Sequence, residues 1–169
     1  MISEKITKLI NEQIVHEQYA AQYYLCMSAW FYRENLEGIA NYFRVQSKEE
    51  LLHADKMFDY LNNVGADIEI GAIDKPEQQF KNATDIFEKA LAHEKKVTQL
   101  IFNIMKNANE EGDFATSSFL QWFVNEQVEE EASASQLVSK IKMVCDNPSA
   151  LYLFDQELSQ RVFSPKTEF

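Results

Sequence analysis

Glu50 and His53 are the residues around which this chain's chemistry gathers. Three positions apart, a carboxylate and an imidazole share one face of a helix. That face is otherwise a core stripe: Ile39, Phe43, Gln46, Glu50, His53, Met57, Tyr60 and Val64 follow in alternating steps of four and three. A Glu-x-x-His pair alone occurs by chance, but three further helical stripes break in the same way. Ile6, Ile10, Gln13, Glu17, Ala20, Tyr24, Met27 and Phe31 form one, interrupted by Glu17. Phe87, Leu91, Glu94, Thr98, Ile101, Met105 and Ala108 form another, interrupted by Glu94. Leu120, Phe123, Gln127, Glu130, Ala134, Leu137, Ile141 and Val144 form the last, interrupted by Gln127 and Glu130, again three apart.

Each interruption falls near the middle of its helix, and midpoints stay level whichever way the helices run. Glu17, Glu50 with His53, Glu94, and Gln127 with Glu130 are therefore expected at one height inside a bundle. Buried together and unpaired, their carboxylates would cost many kcal/mol in desolvation and mutual repulsion, or would bind protons. The stripes carry no Lys or Arg near them. Two divalent cations balance four carboxylates; so do two trivalent cations with one bridging oxide. Oxygen donors with a single imidazole suit iron or manganese better than a structural zinc site. The competing reading is a metal-free buried network of Glu, Gln, His and Tyr, which the missing counter-charge disfavours.

Four long helices must hold these groups. The first is expected from Ser3, its N-cap, to Arg33. Glu34-Asn35 reads as a turn, with Asn35 capping a second helix over 36–63, antiparallel to the first. From Val64 through Pro76 to Phe80 there is no helical period. Roughly seventeen extended residues at about 3.3 Å each can run the length of a helix of about 27 residues, about 40 Å. The second and third helices are then parallel. The third is expected over 84–109 and the fourth over 113–145, with a tight turn at Gly112. Asn147 and Pro148 open a short fifth helix that places Leu151, Phe154 and Leu158 on one face. Four helices already close a bundle, so that face is expected to pack between subunits. From Ser164 the tail is expected to fray.

Composition narrows the function. The 169 residues suffice for one domain, 1–169, and 46% hydrophobic content with twelve Phe indicates a packed core. Four Gly, three Pro and no two-residue alternation point to an all-α chain. A net charge of −11 argues against nucleic acid and anionic membranes and fits attraction of cations. Cys26 and Cys145 suit a reducing cytoplasm; no signal peptide is expected at the start and no run reaches spanning length.

With these stripes, one crossover and a short fifth helix, the chain resembles a bacterial non-haem ferritin over essentially its whole length. The implied fold is the ferritin-like four-helix bundle with one long crossover and a short fifth helix. The resemblance implies that Glu17, Glu50 and His53 hold a first iron and that Glu50 bridges to a second, held by Glu94 and Glu130. Gln127, within Asn125-Glu126-Gln127-Val128-Glu129-Glu130, would line the metals and hydrogen-bond ligands or oxygen. The implied activity is that of a ferroxidase: Fe²⁺ binds in pairs and reduces O₂, and Fe³⁺ moves to a mineral core. A homo-oligomeric cage of roughly 24 copies and a cytoplasmic location are implied with it. Tyr24 resembles the tyrosine beside the ferritin centre, an electron donor; its other reading is a core tyrosine with a satisfied hydroxyl. Glu49, Glu126 and Glu129 resemble a third iron site, against the alternative of a solvated acidic face. Trp122 is a further electron source or simply packing. His16 and His93 read as surface histidines, and Cys26, Cys145, Met57 and Met105 as packing.

The chain departs from related patterns in ways that matter. Bacterioferritins repeat Glu-x-x-His on the fourth helix, whereas here Gln127 and Glu130 stand there, leaving the second iron without an imidazole. That suits iron in transit. Leu51 occupies the position of the haem-binding methionine of bacterioferritins, so no haem is expected. Ser117 and Leu120 match positions where animal ferritins line their three-fold channels with acids, and neither is acidic. Other readings are a di-iron oxidase acting on a different substrate, which would need an open pocket beside the metals, a storage protein without fast oxidation, and a metal-free interaction bundle. A rubrerythrin-like protein would need a Cys-x-x-Cys module, which is absent.

Overall fold

The structure, a computed structural model, describes residues 2–164. Among them are five helices and no strand: α1 (Glu4–Arg33), α2 (Glu37–Asn63), α3 (Ala83–Glu110), α4 (Phe114–Val144) and α5 (Pro148–Ser159). The tail expected to fray lies, past Ser164, outside the described residues.

Side chains cap four of the five helices. Ser3 Oγ accepts the Ile6 N–H at 3.2 Å, Asn82 Oδ1 that of Asp85 at 2.9 Å and Asp113 Oδ1 that of Thr116 at 3.0 Å. Asn147 Oδ1 accepts from Ser149 and Ala150, with Pro148 in the first helical position. Helix α2 differs from expectation. Asn35 does not cap it; with φ at 59° it makes the left-handed turn instead, a conformation asparagine tolerates. Leu36 occupies the cap position and offers no side-chain bond. The Ile39 N–H is met from outside, by Asp155 Oδ1 of α5 at 2.8 Å.

Phe87 near the start of α3 packs 5.2 Å from Phe43 near the start of α2 and 5.8 Å from Phe31 near the end of α1, centroid to centroid. Helices α2 and α3 therefore begin at the same end and run parallel. The crossover climbs α1 to make this possible. The buried Asn11 amide holds Asp67 and Glu69, Gly71 lies against Val15, and Phe80 packs on Tyr23.

The core divides in two. Tyr24, Met27, Phe31, Phe43, Phe87 and Ile141 belong to one apolar cluster; Ile6, Ile10, Met57, Ile101, Leu120 and Phe123 belong to the other. Each fully buried side chain of this kind stabilises by about 1.5–3 kcal/mol, so each cluster anchors its end of the bundle. The polar groups of the four stripes lie in the layer between.

Helix α5 corrects the expectation of an intersubunit face. Phe154 and Leu158 are buried in the first cluster, with Leu151 packed beside them. The helix fits because Gly38 lacks a side chain: a Cβ there would lie 1.8 Å from the Asp155 carbonyl oxygen. Tyr152 and Leu153 face outward instead, 61% and 68% exposed. Among the described residues no helix is long and apolar enough to cross a membrane.

Candidate metal centre

The stripes deliver their polar groups to the interior. Glu17, Glu50 and Glu94 are each no more than 2% exposed, His53 is 3% and Gln127 3%. Glu130 is partly buried as a residue, but its Oε2 is sealed from solvent. Ligand atoms of Glu17, Glu50 and His53 lie within 4.8 Å of one another, and so do those of Glu50, Glu94 and Glu130. Glu50 is common to both sets and lies between the two positions.

His53 Nδ1 is 3.2 Å from Glu50 Oε2 and 4.0 Å from Glu17 Oε2. Gln13, one turn before Glu17, donates from Nε2 to Glu17 Oε1 at 2.9 Å and so orients it. The Tyr24 hydroxyl donates to Glu94 Oε1. Its phenol is pushed well above the ordinary range by burial and by the Glu94 and Glu50 charges. Gln127 donates from Nε2 to Thr98 Oγ1 at 3.2 Å and to the Glu94 carbonyl at 3.3 Å.

Three carboxylate oxygens are buried with no hydrogen-bond partner: Glu17 Oε2, Glu50 Oε1 and Glu130 Oε2. Orphaned acceptors of this kind are costly, and they sit one each on α1, α2 and α4. Burial, then the Glu94 and Glu17 charges, raises the Glu50 carboxyl well above the usual range; burial, then Glu94 and Glu50, does the same to Glu130. Without a cation the layer must hold protons, and with cations it need not. The donor set thus fits a pair of metal ions.

The three outer acids fare differently. Glu126 joins His53 and Glu130 in a further group of ligand atoms within 4.8 Å. Glu49 and Glu129 line a cavity of about 400 Å³ with Glu94, Glu126 and Glu130, and Glu49 is ion-paired to Arg161. His93 is not the surface residue expected from sequence. Tyr19, Tyr23 and Tyr24 surround its ring, its Nε2 is buried without a partner, and desolvation lowers it to about 4. His16 is half-buried and lowered in the same way. Trp122 packs edge-on to His53, with centroids 5.5 Å apart. Leu120 is fully buried, so a side chain there lines no channel, and Ser117 bonds to Asn109 near the surface.

Sequence reasoning passed over Gln13 and Thr98 as orienting groups, although both stand on core stripes where a polar residue is itself a signal. It also passed over Lys56, buried with its ammonium 4.6 Å from the Trp122 ring centroid, and over Arg161. Neither lies on a stripe, so no periodicity marks them.

Residues 7–144 match the family described as Ferritin-like domain. The chain is 38% identical over 163 residues to a bacterial non-heme ferritin of Staphylococcus aureus, covering 96% of this chain and 98% of that protein. It is 40% identical over 166 residues to one of Campylobacter jejuni, covering 98% and 99%. Among solved structures, a ferritin of Archaeoglobus fulgidus engineered into a closed form superposes with a TM-score of 0.95 at 42% identity, covering 97% of this chain and all of that one. A humanized archaeal ferritin superposes with a TM-score of 0.96 at 44% identity, covering 98% and 100%.

Proposed function

Because the chain belongs to the ferritin-like domain family, we propose that it is an iron-storage ferritin whose substrates are Fe²⁺ and O₂. The observation that carries this reading is the shared position of Glu50 between two ligand groups, each on a buried and otherwise uncompensated set of carboxylates. Glu17, Glu50 and His53 bind one Fe²⁺, and Glu94 and Glu130, with Glu50 between, bind the other. Gln127 holds Glu94 in place. Two Fe²⁺ give up one electron each, and O₂ with two protons becomes H₂O₂. The carboxylates favour the product state because they stabilise Fe³⁺ more than Fe²⁺. The second position lacks an imidazole, which suits release of Fe³⁺ towards Glu49, Glu126 and Glu129 and then to a mineral. We read Tyr24, whose hydroxyl donates to Glu94 Oε1, as holding that ligand in position.

Storage requires a hollow assembly, and we read the chain as one subunit of a cage of roughly 24 copies in the cytoplasm. Exposed Tyr152 and Leu153 on the outer side of α5 give it an apolar surface for neighbouring copies.

The cavity of about 400 Å³ beside the centre is what a di-iron oxidase acting on an organic substrate would need. Its carboxylates argue otherwise, since organic-substrate pockets are predominantly apolar. Oxidation of Fe²⁺ by metal-free protein in air tests the reading together with particle sizing. Glu50→Ala is expected to slow oxidation by roughly a hundredfold. Oxidation at the parent rate in that variant would remove the centre, and a 19.6 kDa particle would remove the storage role.

A further inference from the structure

We propose that Arg161 is a built-in counter-ion of the cavity beside the metal centre, which an incoming metal ion must displace from Glu49 to settle among Glu49, Glu126 and Glu129. The inference rests on the reading above that these three acids form a third cation site. It concerns what decides when that site fills.

Arg161 follows directly on the end of α5. Its backbone is pinned to α2 by Asn41, whose Nδ2 donates to the Arg161 carbonyl at 2.9 Å and to that of Ser159 at 3.4 Å. From there the side chain lies along one face of α2. Its guanidinium carbon stands 4.3 Å from the Tyr42 ring centroid, and Nη2 stands 2.5 Å from Glu49 Oε2. Tyr42 and Glu49 are seven residues apart, so both groups meet the same side chain on the same face. The docking of α5 against Gly38 thus fixes where this charge sits.

The cavity's other basic lining residue is engaged elsewhere: Lys140 Nζ is 2.6 Å from Glu157 Oε1. Among the described residues no Lys or Arg is ion-paired to Glu17, Glu50, Glu94 or Glu130. The inner positions therefore accept cations without competition, and the outer one does not. The Arg161 and Glu49 side chains are 27% and 23% exposed, so the pair is one that a divalent ion can break. The outer site becomes the last to fill and the first to empty, as a transit position requires. A planar guanidinium on an aromatic ring also has a resting place on Tyr42 once Glu49 is taken.

Calorimetric titration of the metal-free protein with Zn²⁺, at fixed ionic strength, tests this without any oxidation step. The parent is expected to show two tighter sites and a weaker third. Arg161→Gln should tighten the third by roughly fivefold and leave the first two unchanged. Arg161→Lys, which keeps the charge, should stay close to the parent. The two inner sites report in every variant that the bundle has folded. If Glu49→Gln removes the third ion but Arg161→Gln leaves its affinity at the parent value, the counter-ion proposal fails and the third site stands. If Glu49→Gln changes nothing in either background, the third-site reading itself fails. Equal tightening in Arg161→Gln and Arg161→Lys would overturn charge as the cause.

Discussion

Gln127 on α4 and Thr98 on α3 are joined side chain to side chain, Nε2 to Oγ1 at 3.2 Å, while Thr98 Oγ1 donates onward to the Glu94 carbonyl at 3.1 Å. The amide nitrogen of Gln127 also reaches Glu94 Oε2 at 3.4 Å. An N–H donor cannot coordinate a metal, so this end of Gln127 acts on Glu94. Gln127→Ala should therefore slow Fe²⁺ oxidation by about tenfold while two Zn²⁺ still bind tightly. Stopped-flow absorbance and calorimetry measure the two effects separately. Loss of one tight Zn²⁺ equivalent would make Gln127 a ligand instead.

Protons and metal ions compete for the same layer. Burial, then neighbouring carboxylates, raises the folded-state values of Glu50 and Glu130 well above those of the unfolded chain. The folded metal-free protein then binds more protons than the unfolded one from the ordinary carboxylate range upward, so its stability falls as pH rises. Its Tm is expected to drop between about pH 5 and pH 8. Zn²⁺ should raise Tm more at the upper end, and its binding should release protons into a weakly buffered solution. Glu50→Gln should flatten the slope without metal. An unchanged slope in that variant would show that the pH dependence arises elsewhere.

Much of this layer was legible because its groups stand on stripes whose period is dictated by burial. Glu17, Glu50, His53, Glu94 and Gln127 had to point inward once Ile10, Phe43, Ile101 and Phe123 did. The starts of α1 and α5 were legible for a local reason, since Ser3 and Asn147 cap through their own side chains. What escaped notice depends on pairing between distant segments. Asn35 looks like a cap until Asp155 supplies one from α5, and the apolar face of α5 looks spare until Gly38 makes room for it. His93 sits one position off its stripe, and only the ring contacts of Tyr19 and Tyr23 bury it. Arg161 carries no periodic signal, because its place is set by where α5 ends.

The docking of α5 gives a stability prediction. Asp155 is buried and its Oδ1 accepts the Ile39 N–H, a side-chain cap that Leu36 at the N-cap position of α2 does not supply. Asp155→Ala leaves that donor without its partner and should cost about 1–2 kcal/mol. Gly38→Ala forces a methyl group against the Asp155 backbone, which cannot yield as a side chain would, and should cost about 3 kcal/mol or more. Thermal and urea unfolding of both variants measure this. Since α5 also positions Arg161, Gly38→Ala should in addition tighten the outer Zn²⁺ site. A Gly38→Ala protein as stable as the parent would show that α5 does not pack on α2 at this point.

One residue with no role in the metal layer ties the crossover to α1 by hydrogen bonds. Asn11, 6% exposed, donates from Nδ2 to the Asp67 carbonyl and accepts the Glu69 N–H at Oδ1, both at 2.9 Å. A side-chain amide carries its donor and its acceptor on separate atoms, so it can meet a carbonyl and an N–H two residues apart on an extended stretch of chain. Asn11→Ala removes both bonds, but the freed groups of exposed Asp67 and Glu69 can turn to water. The loss of stability should accordingly be modest, about 1–2 kcal/mol, and the larger effect local. Limited proteolysis should cut the variant faster within residues 64–82, while the rate of Fe²⁺ oxidation stays at the parent value because α1 still places Glu17. Asn11→Asp retains the acceptor for Glu69 but turns a carboxylate towards the Asp67 carbonyl, so it should be cut as fast as Asn11→Ala. Parent-like resistance in both variants would mean that Gly71 and Phe80 suffice to hold the crossover against α1.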